Sequence, residues 1–205
     1  MGLNQVTSVN YDLQISSMVN NAEIEAVNNI NGDGGISEAY ISAGYLLAKN
    51  LSIGVHGSYL FGSTIRKNQL TLFNENGTQV GSTSEYYERL TISDVALKFG
   101  THYYFKVGEK SNLHVGAIYQ GLGDVNGSAF AKLAAFGEAS DPDTEGDLIL
   151  DNEKGSIYIP SRYGFGVSYE RVNKYVIGLE GQYQNFSDFR NFLGDPLELR
   201  EAIKL

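Results

Sequence analysis

The sequence predicts an all-β protein, specifically an antiparallel transmembrane β-barrel. Three observations predict it: apolar residues recur at every second position, short and long connections alternate, and aromatic residues gather at strand ends. Tyr (14), Phe (10) and Gly (24) are abundant and Pro is scarce (3), which suits strands and turns. No run approaches the ~18 apolar residues of a membrane helix, whereas a spanning strand needs only ~9–11 residues with alternate ones apolar.

Taken in order, the strands begin with Val9, Tyr11, Leu13 and Ile15, which alternate with Asn10, Asp12, Gln14 and Ser16. Ile41, Ala43, Tyr45 and Leu47 follow the same rule, and Leu51, Ile53, Val55, Tyr59 and Phe61 oppose Ser52, Gly54, His56 and Ser58. Leu97, Phe99, Tyr103 and Phe105 oppose Lys98, Gly100, His102 and Lys106. Leu113, Val115, Ala117 and Tyr119 oppose His114, Gly116 and Gln120. The last two strands carry Tyr163, Phe165, Val167 and Tyr169, then Tyr175, Ile177, Leu179 and Tyr183. Helical spacing is confined to 128–137 and 196–205. Leu90 and Ile92 stand out of phase with Val95, Leu97 and Phe99, which predicts a β-bulge near Ser93–Asp94.

Three connections are short, at 48–50, 108–112 and 171–174. Between them lie long polar ones at 18–34, 63–88 and 122–156, expected as outer loops, with a further hairpin around Asn74–Gly77. Tyr45, Tyr103, Phe105, Tyr169 and Tyr175 lie beside the short turns, and Tyr59, Phe61, Tyr119, Tyr163 and Tyr183 at the opposite ends. Leu51 to Tyr59 is ~26 Å of extended strand, or ~20 Å when tilted, close to the ~25 Å apolar band between two aromatic girdles.

One stretch, Ile157-Tyr158-Ile159-Pro160-Ser161-Arg162-Tyr163-Gly164-Phe165-Gly166-Val167-Ser168-Tyr169, resembles the P-S-x-x-G-x-G-x-S-Y strand of FadL/OmpP1-type outer-membrane proteins. The segment from Val176 to Phe189 resembles that family's next strand, with Phe186 where a Trp is usual. Gly44 to Gly54 resembles an earlier hairpin of the family, and the style of the whole is that of Bacteroidota members. The resemblance implies a fourteen-stranded barrel plugged by an N-terminal hatch, which passes fatty acids or other hydrophobic compounds by diffusion. Residues 1–205 would then form a single barrel region, without hatch and closing strands. The chain start lacks the basic and apolar regions of a signal peptide and is expected to be that of a trimmed chain.

The formal charge of -9 and the lack of a basic patch exclude a nucleic-acid partner. Without Cys, thiolate metal sites and Cys nucleophiles are excluded. Residues 164–169 form a strand and not a nucleophile elbow, so no enzyme is expected. No cofactor is expected either. Calcium is the one candidate ion, at Asp141, Asp143, Glu145 and Asp147, whose spacing imitates the opening of an EF-hand loop. All three histidines, His56, His102 and His114, fall on the polar parity. Lys98, Arg162 and Glu180 share that face and are the candidates to orient an amphipathic head group. Phe130 and Phe136 are candidates for a hydrophobic landing site on an outer loop.

These readings give an outer-membrane channel for hydrophobic or amphipathic small molecules, in contact with membrane lipid. The alternatives are a barrel subunit of a secretion or surface complex with protein partners, and a soluble β-sandwich binding module. Co-purification with a stable partner favours the first alternative, and monodispersity without detergent the second.

Overall fold

The computed structural model describes residues 1–19, 24–135, 139–141, 143–192 and 201–204. Eleven strands follow one another: β1 (Gly2–Ser8), β2 (Tyr11–Met18), β3 (Ile24–Ala48), β4 (Leu51–Asn74), β5 (Ser84–Gly108), β6 (Ser111–Gly121), β7 (Gly123–Ala135), β8 (Gly146–Ile159), β9 (Arg162–Arg171), β10 (Tyr175–Asn185) and β11 (Glu201–Lys204). A 3₁₀ turn, Phe186–Asp188, follows β10, with the Asn185 side chain accepting a hydrogen bond from the Ser187 N–H. All strands join one antiparallel sheet.

The short turns are where alternation places them, after Ala48, Gly108 and Arg171. Asn173 takes φ 59 in the last of these, a left-handed conformation that Asn tolerates. The expected long loops are different. β3 and β5 each run for 25 residues, about 80 Å at ~3.3 Å per residue, far beyond the apolar band. Residues expected in loops at 24–34, 63–74, 84–88, 123–135 and 146–156 are therefore strand. Their polar faces hide the alternation, while the ladders satisfy their backbone groups. The segment 128–135 belongs to β7 and is not helical, and Glu201–Lys204 pairs with Gln182–Asn185 of β10. The turn at Asn74–Gly77 is present at the tip of β4, where the Asn74 side chain accepts from the N–H groups of Asn76 and Thr78.

The sheet forks. In the half nearest the short turns the order is β1-β3-β4-β5-β6-β9-β10-β11. In the far half β3, β4 and β5 continue, flanked by β2 on one side and by β7 and β8 on the other. β6 leaves β5 at the Leu97–Gly121 pair, and β7 joins β5 at the Ile92–Gly127 pair. Gly123 makes the intervening bend at φ 63. Asp94 stands in the gap. Its carboxylate accepts the Val95 N–H at 2.6 Å, the Asn126 N–H at 2.6 Å and the Asn126 side chain at 2.8 Å. Those groups lie where the ladder is interrupted. The Asn126 backbone N–H, with help from the Val95 N–H and the Asn126 side chain, holds the Asp94 carboxyl below its ordinary range despite some desolvation.

No bulge occurs at Ser93–Asp94, since β4 and β5 pair without a register shift from Leu51–Tyr103 to Leu70–Ser84. What changes is the apolar face. Val95, Leu97 and Phe99 point outward, whereas Ile92 turns into a core at the fork with Ile36, Leu60, Ala96, Val125 and Ile157. Phe189 and Phe192 cover this core. A second core, Tyr87, Phe130, Ala134 and Ala139, lies nearer the far end.

The expected barrel is corrected to an open sheet. Closure requires the first and last strands to share a ladder. Among the described residues β1 and β2 pair only with β3, β11 only with β10, and β8 within the sheet only with β7.

Candidate functional site

In the near half the register aligns like with like. The row Ala43, Val55, Phe99, Tyr119, Tyr163, Tyr183 crosses six strands on one face. That face is apolar and open: Ile41, Tyr45, Ile177 and Leu179 are 68%, 69%, 68% and 70% exposed. The neighbouring row Ser42, His56, Lys98, Gln120, Arg162, Gln184 crosses the same strands on the opposite, polar face.

Lys98 and Arg162 thus stand in one row, two strands apart, about 10 Å from the inter-strand spacing. Arg162 donates to the Gln184 side chain at 3.3 Å, and Gln184 in turn donates to the Pro160 carbonyl at 2.8 Å. Glu180 shares their face but lies two same-face positions nearer the short turns, in the row of Gly166.

Beyond Glu180 two of the histidines come together. His102 Nε2 lies 3.0 Å from His114 Nδ1, and His114 Nε2 lies 3.2 Å from Glu170 Oε2. Asn112 donates to the same Glu170 oxygen at 3.0 Å. His56 is separate, bonded to Ser42 at 2.8 Å and stacked on Tyr40. Among the described residues no three His, Asp or Glu side chains converge on a metal position. A trough lies between these groups, in two contiguous hollows of about 470 and 650 Å³. Its floor is largely glycine: Gly54, Gly100, Gly116, Gly164, Gly166 and Gly178.

The remaining candidates are elsewhere. Asp141 accepts the Asp143 N–H with its carboxylate, and its carbonyl accepts a hydrogen bond from Lys132 at 2.9 Å. Lys132, itself buried, also donates to the Thr144 carbonyl. The backbone of this acidic loop therefore already holds an ammonium group. Glu145 and Asp147 are exposed, Asp147 in β8 opposite Leu133. Phe130 is 4% exposed, edge-on to Tyr87 and beneath the Arg89 guanidinium, so it lies in a core and not on a landing loop. Phe136 lies outside the described residues.

Sequence reasoning missed the link from His114 to Glu170. It forms because β6 pairs with β9 across the whole β7–β8 excursion, and no local pattern announces that. It also missed Glu85, 1% exposed and bonded to Gln69 at 2.5 Å.

A forked, open sheet whose near half has one apolar and one polar face, with no catalytic constellation among the described residues, defines a β protein of a membrane environment that presents surfaces. The family model named BamG matches residues 1–201, and the chain belongs to the BamG family. The family is one of outer-membrane proteins associated with the BAM complex. The protein is accordingly located in the bacterial outer membrane, as expected from the sequence. The chain is also similar to the crystal structure of the toluene transporter TbuX of Ralstonia pickettii, at 13% identity and a TM-score of 0.44. That likeness covers 92% of this chain, which spans only 61% of TbuX, and it bears on neither fold nor function. No curated protein matches.

The family corrects the FadL/OmpP1-type resemblance, whose Gly- and Tyr-rich hairpin motifs are features that outer-membrane strands share widely. The diffusion channel for fatty acids falls with it. A channel needs an enclosed path, and the described sheet encloses none.

Proposed function

We propose that this chain is a non-catalytic subunit of an outer-membrane protein-assembly complex, in which the forked sheet is a frame for protein partners. Membership of a BAM-associated family supports this reading. The observation that carries it is the open sheet itself. Among the described residues β8 pairs within the sheet with β7 alone, and apart from the bridge of Tyr158 to Arg190 its other edge is left for a partner strand to complete. That edge follows the acidic 141–147 loop and bears Asp151 and Glu153, with Leu148 and Ile149 exposed beside them. At the opposite end, Lys49, Lys106, Lys110, Arg171 and Lys174 crowd the short turns. The two ends thus offer partners opposite charge.

The test is recovery of the tagged protein, at its native level, from outer membranes in mild detergent. Stoichiometric recovery with the core subunits of the outer-membrane assembly complex is the expected result. Recovery of the chain alone, at native level and across several detergents, sinks the reading.

A further inference from the structure

The glycine-floored trough has no assigned occupant. We propose that it takes an extended, basic segment of a partner polypeptide, with cationic side chains set against Glu170 and Glu180. The proposal deepens the complex-subunit reading and rests on it for the source of the segment.

Space is the first argument. Along the five strands β4, β5, β6, β9 and β10 the polar face carries glycine where a side chain would fill it. A Cβ added at Gly166 meets nothing nearer than 3.8 Å, and at Gly100 again nothing nearer than 3.8 Å. At Gly54, Gly100, Gly116 and Gly166 the floor is therefore open room above the sheet, whereas an added Cβ would lie 2.5 Å from the Ile118 side chain at Gly164 and 3.1 Å from Ser168 Cβ at Gly178.

Charge is the second. Glu170 and Glu180 line the trough, and no Lys or Arg does among the described residues. Glu180 makes no hydrogen bond or ion pair among the described residues. Read outward from the Glu170 carboxylate, which can only accept, His114 Nε2 donates. One hydrogen joins His114 Nδ1 to His102 Nε2, carried by either ring according to tautomer. The trough presents acceptors, and its complement is a donor-rich cation.

Spacing is the third. Glu170 pairs with Val176, and Glu180 lies four residues further along β10, about 13 Å. Side chains i and i+4 of an extended segment share a face and the same ~13 Å separation. A segment with basic residues at that interval matches both carboxylates.

The experiment uses the purified full chain in detergent at low salt. The probe is a fluorescein-labelled octapeptide of serines with lysines four positions apart, and its control carries glutamates instead. Anisotropy is expected to show binding of the lysine peptide only. Glu170→Gln combined with Glu180→Gln is expected to weaken it about tenfold or more. Gly166→Leu, which fills the floor, is expected to abolish binding, with each variant's urea midpoint read as a check on folding. The proposal is overturned if wild type does not distinguish the two peptides, or if either folded variant binds as wild type does. A chain that binds the peptide but never recovers with the assembly complex overturns the complex-subunit reading alone.

Discussion

Asp94 is the residue on which the fork depends, and its removal has a calculable cost. Three hydrogen bonds end on its carboxylate, at 2.6, 2.6 and 2.8 Å. At ~1.5 kcal/mol each, the low end for bonds to a charged group, they amount to roughly 4–5 kcal/mol. The side chain is only half-buried, and solvent screening removes about half of that. Asp94→Ala should therefore cost about 2 kcal/mol, and Asp94→Asn, which keeps one acceptor oxygen, about 1 kcal/mol. In urea a 2 kcal/mol loss lowers the unfolding midpoint by about 1 M at a slope near 2 kcal/mol/M. The pH dependence has a definite sign. The folded carboxyl titrates below its ordinary range, chiefly because the Asn126 backbone N–H favours the ionised form. Its contribution is therefore complete above the unfolded value near ~3.9 and disappears as pH falls through the lower folded value. The assay is urea unfolding of the detergent-solubilised protein, wild type against Asp94→Asn, from pH 7 to pH 3. A gap that is absent at pH 7, or that stays constant down to pH 3, refutes the reasoning.

Two further expectations follow from the packing. A Cβ at Gly127 would lie 2.3 Å from the Thr91 carbonyl oxygen, whereas one at Gly108 meets nothing within 4 Å. Gly127→Ala should destabilise by about 1–3 kcal/mol and Gly108→Ala by under 1 kcal/mol, and equal urea midpoints for the two would contradict the close approach of β5 and β7. Phe130→Ala should lose about 3 kcal/mol or more, because the ring lies in the far core. A variant of unchanged stability would return Phe130 to the surface role its sequence context suggested.

Much of the near half was legible. Alternation in Val55, Phe99, Tyr119, Tyr163 and Tyr183 assigned each strand's apolar face, and the register joins those faces into one surface. The far half was not legible, because strands such as 24–34 and 63–74 carry polar residues on both faces and leave no periodic signal. The phase change at Leu90 to Val95 was visible, but its cause was not. A bulge and a change of buried face give the same pattern in one strand, and only the uninterrupted β4–β5 register distinguishes them. The fatty-acid channel was read from hairpin motifs that record strand chemistry and not assembly.

By itself the sequence determined what each strand must do locally: which residues share a face, where tight turns fall, and which histidines and carboxylates lie on the polar side. Those are consequences of the two-residue period and of turn residues, both properties of a few consecutive positions. The tertiary structure alone decided that β6 meets β9, that β5 changes partner at Asp94, that His114 reaches Glu170, and that the sheet stays open. The reason is that any strand edge offers the same backbone donors and acceptors to every other edge. The choice among partners is settled by contacts between residues far apart in the chain, and these leave no mark in the local pattern.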